Sequence, residues 1–291
     1  MTNALPGAKR LAPGKAFGKG RAMTFKLGLA QCCHPDDGDV LAMADAWAAR
    51  AKAAGVDVLA FPESLMTPFD ASVEEFAEAA QPIDGPFCLG MDAIAAKHGL
   101  WIVYTANERK GAGRPFNTAI VVDAAGRKRA VYRKVHLFDT DFVKESDKVA
   151  AGGEFMRPVE TPFGRIGVAI CYDLRFPEQA RAAALAGADL LVYPSAWVDG
   201  PRKVDQWRTL LAARAIENEL FVAGLSRCDR AFGDAKRDYA GHSVVFGPLG
   251  EVVAEAAHAA EELLVADIDL TAVARARAAM PVLDHRREDV Y

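Results

Sequence analysis

The ten residues GVDVLAFPES, 55 to 64, return as GADLLVYPSA at 187 to 196, and this pair decides the architecture. Each copy reads Gly, Val or Ala, Asp, four apolar residues, Pro. The glycine can end a preceding helix, the apolar run reads as a strand buried on both faces, and the proline stops it at its C-terminal end. Two similar strands then deliver Glu63 and Ser195 to comparable places. Ligands of open α/β sheets gather outside the carboxyl ends of strands, so side chains at such ends can share one site.

Outward from the two copies, the pattern keeps alternating. Apolar runs at 25–32, 56–61, 100–106 and 117–122 are separated by helical stretches near 39–54, 72–80 and 87–98. The second half has runs at 166–170, 189–193, 220–225, 242–247, 251–254 and 263–268, with helices near 177–187 and 203–218. Alternation of this kind means α/β with large, partly covered sheets.

The chain has 291 residues, 51% of them hydrophobic and 25% charged, which is enough to bury a large core as one domain. A net charge of −4 supplies no basic field for nucleic acid, so small molecules are the expected partners. No run reaches the roughly 18 apolar residues of a membrane span, and no apolar signal core follows a charged start. The expected setting is cytoplasmic. Cysteines 32, 33, 88, 171 and 228 are odd in number and lack C-x-x-C spacing, which argues against a disulfide framework and a structural zinc site. Reduced thiols are expected, with Cys32 and Cys33 as packing residues. Residues 1–22 hold Lys9, Arg10, Lys15, Lys19 and Arg21 but no acid, and read as an appended flexible tail or an upstream start, with an organelle transit peptide as the alternative for a basic, acid-poor segment. The folded domain is expected over 23–291, with a C-terminal extension from about 270.

The stretch GRIGVAICYDLRFPE, 164–178, ends an apolar run on Cys171. Pro177 pre-sets the first turn of an Ala-rich helix, so the thiol sits at a strand-to-helix elbow. An elbow exposes one side chain and aims nearby backbone N–H groups at whatever it attacks, which is what acyl transfer needs. Three further reactive side chains stand at abrupt pattern changes: Glu63 after LAFP, Lys134 in VYRKVHLFD and Glu145 in FVKES. Each alone has a plain alternative: a buried small hydrophobe for Cys171, a helix-start partner for Glu63, a solvated basic patch for Lys134 beside Arg133, a charged loop for Glu145. Asp139 or Asp141 could take the place of Glu145.

Taken together and in order, these residues resemble the nitrilase superfamily of carbon-nitrogen hydrolases over nearly all of 25–270. The resemblance implies a four-layer α-β-β-α sandwich of two mixed sheets with pseudo-twofold halves, associating as a homodimer or higher homo-oligomer. It implies Glu63 as general base and acid, Lys134 as the cation that orients the site and stabilises the oxyanion, Cys171 as nucleophile and Glu145 as a second carboxylate. A thiol attacks only as thiolate, so such a cysteine needs a base or a nearby cation, and Glu63 with Lys134 supplies both. A Cys-His reading through His136 or His242 would leave Glu63 and Lys134 unexplained. No HExxH, Walker loop or GxGxxG occurs, so neither a metal nor a nucleotide cofactor is implied.

CYDLRFPE, WRTLLAARAIEN (207–218) and GHSVVFGPLGEVVAE (241–255) resemble the Nit branch of omega-amidases and deaminated-glutathione amidases. That resemblance implies a small ω-amide carrying a carboxylate, such as 2-oxoglutaramate or succinamate. N-carbamoyl amide hydrolysis, nitrile hydrolysis and an inactive interaction module are the competing readings. Arg175, Arg202 or Lys203 could meet the carboxylate, although Arg175 could equally brace the elbow through Asp173 or Glu178. Tyr172, Ser195 and Trp197 are the remaining expected pocket residues. SAWVDGPR, 195–202, departs from the omega-amidase pattern at the expected pocket wall.

Overall fold

The computed structural model describes residues 23–35, 38–141, 143–228, 239–257 and 260–290. The tail expected over 1–22 lies outside them. The first half runs β1 (Thr24–Gln31), α1 (Val40–Ala53), β2 (Val58–Ala60), α2 (Val73–Ala79), α3 (Pro86–His98), β3 (Trp101–Glu108), β4 (Phe116–Val122), β5 (Lys128–Arg133) and α4 (Glu145–Lys148). The second runs β6 (Val159–Thr161), β7 (Gly164–Val168), a 3₁₀ turn (Cys171–Arg175), α5 (Pro177–Leu185), β8 (Leu190–Ser195), α6 (Lys203–Asn218), β9 (Phe221–Ser226), β10 (Val244–Phe246), β11 (Val252–Glu255), β12 (Glu262–Asp269) and α7 (Thr271–Ala279).

These strands form two six-stranded sheets, ordered β12-β1-β2-β3-β4-β5 and β11-β10-β9-β8-β7-β6. Each has a parallel triplet at its heart, β1-β2-β3 in one and β7-β8-β9 in the other, with antiparallel strands outside. The two copies of the repeated decapeptide supply the middle strand of each triplet, and they do so by the same bonds. Gly55 and Gly187 take φ of 75° and 89°, the left-handed region that glycine enters without a Cβ penalty. Asp57 Oδ2 then accepts the Lys26 backbone N–H at 2.9 Å, and Asp189 Oδ2 accepts that of Arg165 at 2.9 Å. Each aspartate also passes its backbone to both neighbouring chains, Asp57 to Lys26 and Trp101, Asp189 to Arg165 and Phe221.

Alternation along the strands builds the layers. Leu27, Leu29, Val103 and Val121 face the opposite sheet, while Leu59, Ile102, Tyr104 and Ile120 face α1 and α3. On the other sheet Trp207 and Leu211 of α6 close on Gly224, whose missing side chain lets the helix approach. The order is therefore α-β-β-α. No helix among the described residues is long and apolar enough to cross a membrane.

Three expectations need correction. Pro194 does not stop its strand: β8 runs through it to Ser195, pairing Pro194 with Leu225. The missing N–H costs nothing there, because the neighbouring β7 has already ended at Val168. The short β5 and β6 and the helix α7 carry too little apolar periodicity to stand out in the sequence. Cys33 is also not a free packing thiol, since it is disulfide-bonded to Cys228 across 195 residues, with Cα atoms 5.3 Å apart. Spacing in sequence carries no sign that the ends of β1 and β9 meet. Cys32, Cys88 and Cys171 remain thiols, and burial pushes Cys32 up to about 12.

Candidate active site

Glu63 and Lys134 both follow strand ends of the first sheet, and Cys171 follows a strand end of the second. Lys134 comes directly after β5, where its backbone N–H bonds Asn117 O at 2.9 Å and its O accepts from Gly152 at 2.7 Å. Its side chain is wholly buried. The ammonium donates to Glu63 Oε1 at 2.8 Å and to Glu145 Oε1 and Oε2 at 3.0 and 2.8 Å. Arg133 alongside is no member of a solvated patch, being paired through both nitrogens with buried Glu108. Burial opposes charge on Lys134, but Glu145 and Glu63 more than offset that cost and hold its pKa well above the ordinary value.

Glu63 is buried and anchored at both oxygens. Oε1 also accepts from Asn117 Nδ2 at 2.9 Å, and Oε2 accepts the Ala196 backbone N–H at 2.8 Å. The second bond joins the ends of the two repeat strands, so each half of the fold contributes to holding one carboxylate. Glu145 opens α4, takes the Phe138 N–H at 2.7 Å and shares Asn117 at 3.1 Å. Asp139 instead accepts the Ser146 N–H, and Asp141 is exposed, so neither stands in for Glu145.

Cys171 begins the 3₁₀ turn with φ 46°, a left-handed conformation that a non-glycine residue holds only at a cost. Asp173 fixes the turn. Its Oδ2 accepts from Ile170 N and Tyr132 Oη, and its Oδ1 accepts from the backbone and the Nδ1 of His136. His136 is further stacked on Phe176 at 3.6 Å, so it braces the elbow instead of serving the thiol. Burial raises the Cys171 pKa well above the ordinary value, and Glu63, which hydrogen-bonds the sulfur, raises it again; Lys134 acts in the opposite sense. Both effects favour the neutral thiol over the thiolate.

Cys171 is 8% exposed, toward a small cleft. Tyr172, Arg175 and Trp197 line it, as do Phe69, Phe138, Ala196, Val198 and Lys203. Ser195 does not: it is fully buried, and its hydroxyl donates to Tyr193 O at 3.2 Å. Arg175 pairs with neither Asp173 nor Glu178; it donates to Gln206 and lies 4.9 Å over Trp197. Sequence reasoning passed over Asn117, which binds both carboxylates, and Arg227, whose guanidinium donates to Glu63 O and Ser64 O. An Asn near the start of a β-rich run and an Arg at the end of another carry no signal by themselves.

Residues 26–278 match the sequence model of the carbon-nitrogen hydrolases. Omega-amidase NIT2-A of Xenopus laevis is 34% identical over 92% of this chain and 96% of its own. Deaminated glutathione amidase of Bos taurus is 36% identical over 75% of this chain and 68% of its own. Among solved structures, Saccharomyces cerevisiae Nit3, a member of branch 10 of the nitrilase superfamily, superposes with a TM-score of 0.82 at 28% identity, covering 95% of this chain and all of that one. A mutant amidase from Nesterenkonia, bearing a covalent acetamide moiety at its active-site cysteine, superposes at 0.74 and 26% identity over 95% and 98%.

Proposed function

Because the chain belongs to the carbon-nitrogen hydrolase family, we propose that it hydrolyses a small linear amide to acid and ammonia through a thioester on Cys171. The substrate is the ω-amide of a carboxylic acid, such as 2-oxoglutaramate or succinamate, or deaminated glutathione, a reading supported by relatives named omega-amidase and deaminated glutathione amidase. The observation that carries this reading is the buried Lys134 ammonium bonded at once to Glu63 and Glu145, with Glu63 also touching the Cys171 thiol.

The chemistry follows from those bonds. Since the thiol rests protonated, Glu63 takes its proton as sulfur attacks the amide carbonyl and delivers it to the departing nitrogen. Protonated Glu63 holds Lys134 less strongly, which frees an ammonium N–H toward the oxygen where negative charge develops. With the Tyr172 backbone N–H as second donor, each such contact contributes about 3–4 kcal/mol. Water activated by Glu63 then cleaves the thioester and releases the acid. Glu145 and Asn117 keep Lys134 and Glu63 aligned throughout. A homodimer or larger assembly belongs to the same reading, supported by the family resemblance, and a cytoplasmic setting is proposed with it.

The test is ammonia release from 2-oxoglutaramate, succinamate, deaminated glutathione, N-carbamoyl amino acids and nitriles, by wild type and Cys171→Ala. Turnover of an ω-amide by wild type alone is expected. Turnover confined to carbamoyl compounds or nitriles would replace the substrate class, and no turnover of any member would leave an inactive module.

A further inference from the structure

Both ends of the Cys33–Cys228 bridge lead to the catalytic base. The bridge joins the chain just beyond β1 to the chain just beyond β9, one strand from each sheet. His34 follows Cys33, and its Nε2 lies 3.0 Å from Ser64 O. Arg227 precedes Cys228, and its guanidinium donates to the same Ser64 O at 2.9 Å and to Glu63 O at 3.2 Å. The carbonyls on which these two arms converge thus belong to the base and to the residue after it. Ser64 takes φ 57°, a left-handed conformation that a serine holds only where its surroundings over-determine it, and the two arms are part of those surroundings.

The groups around the bridge also favour thiol exchange. Cys33 and Cys228 are 4% and 2% exposed. Exposed Glu261 accepts the Cys33 backbone N–H at 3.2 Å and holds a carboxylate oxygen within 4.8 Å of both sulfurs, which places the bridge directly beneath the surface. Arg227, next to Cys228, is 2% exposed and has no carboxylate within ion-pair distance among the described residues. Its charge reaches Cys32 and His34, the residues on either side of Cys33. A buried cation without a counter-charge stabilises a thiolate formed beside it, and a stabilised thiolate leaves a disulfide faster. In the cytoplasmic setting proposed above, such bridges are usually transient and redox-sensing.

We propose that Cys33–Cys228 is a thiol–disulfide exchange site for dithiols, and that its closed state holds Glu63 in its catalytic position. The control of turnover rests on the amidase reading of Cys171, whereas the exchange itself does not. A dithiol attacks Cys33 Sγ as its thiolate, with Glu261 placed to take the proton. The S–S bond breaks, and its electron pair leaves on Cys228 Sγ beside Arg227, where it is protonated. The second sulfur of the dithiol then displaces Cys33 from the mixed disulfide. Two protein thiols and one oxidised dithiol result, two electrons and two protons having passed to the bridge. Separate thiols cannot stay at bonding distance, so the ends of β1 and β9 part and His34 and Arg227 shift against Ser64 and Glu63.

The experiment compares wild type with its bridge closed and with its bridge opened by dithiothreitol, which is removed before assay. The state is read from the masses of the alkylated peptides carrying Cys33 and Cys228, and the fold from circular dichroism. Opening should lower kcat for succinamate about 10- to 100-fold with little change in KM, the loss expected when a reacting group is displaced by about 1 Å. Oxidised dithiothreitol should restore it. Cys33→Ser combined with Cys228→Ser should match the opened wild type and respond to neither reagent. A bridge that resists excess dithiothreitol, a chain that unfolds when the bridge opens, or an equal kcat in both states overturns the proposal. A second readout stands apart from turnover. Glu63 raises the Cys171 pKa, so displacing Glu63 should move the pH midpoint of Cys171 alkylation by iodoacetamide downward in the opened protein, and an unmoved midpoint contradicts the coupling. If wild type releases no ammonia in either state, the amidase reading fails while the alkylation midpoint still decides whether the bridge acts on Glu63.

Discussion

Lys134 directs its ammonium at two carboxylates in a fully buried pocket, and this fixes how sensitive the site is to single changes. Removing one partner of a buried ion pair leaves the other uncompensated, at a cost of about 3–5 kcal/mol. Lys134→Met should therefore abolish ammonia release and lower the midpoint of urea unfolding by a corresponding amount. A stable, active variant would show that the ammonium is dispensable. His136 gives the opposite expectation. Its ring faces Asp173 and Phe176, so His136→Asn should retain kcat within about tenfold of wild type, a loss no larger than that of one positioning hydrogen bond. A collapse to the level of Cys171→Ala would revive the Cys-His reading. At this scale Glu63, Lys134, Glu145 and Cys171 stood out in the sequence because each interrupts a strong pattern. Asn117, Asp173 and Arg227 did not, because their importance lies in hydrogen bonds to residues far away in the chain.

The repeated strand is where sequence and structure correspond most closely at the scale of elements. The glycine, the aspartate and the apolar run of each copy perform matching tasks, whereas the proline positions differ because β2 and β8 have neighbours of different length. Asp189 is buried and satisfies the Arg165 N–H. Asp189→Ala leaves that group unpaired and should destabilise the protein by about 1–3 kcal/mol in chemical denaturation. Asp57→Ala should cost less, since Asp57 is only half-buried, and Asp189→Asn should recover most of the loss. Equal stability of Asp189→Ala and wild type would mean that the echo is only compositional. β5 escaped notice for a physical reason: Lys128, Arg129 and Arg133 occupy an edge strand of the sheet, where charge is tolerated and apolar periodicity is not required.

Over the whole molecule, the two sheets meet at their strand ends around the site, and groups there tie the halves together. Ala196 N–H bonds Glu63, Arg227 bonds Glu63 and Ser64, and the Cys33–Cys228 bridge lies beside them. His34 belongs to the same seam, with its Nε2 3.0 Å from Ser64 O. Burial and then Arg227 lower its pKa to about 3, far below the roughly 6.5 of an unfolded histidine. As pH falls, the unfolded chain therefore binds this proton first. The contribution of the neutral ring is complete above about pH 6.5 and declines toward pH 3, by at most about 1.4 kcal/mol per pH unit. His34→Gln should flatten the fall of Tm between pH 6.5 and 4, and an unaltered profile would remove His34 from the account. The α/β alternation and the repeated strand were legible in the sequence and the four layers only through the family resemblance, but the long-range seam was not, since residues such as Cys33 and Cys228 meet only once both sheets are in place.

The central claim is a covalent acyl group on Cys171. Wild type mixed with succinamate, quenched in acid during turnover and digested, should yield the peptide containing Cys171 heavier by the substrate mass less ammonia, with no such species from Cys171→Ala. Undiminished ammonia release by Cys171→Ala, or an acyl group on another residue, would contradict it.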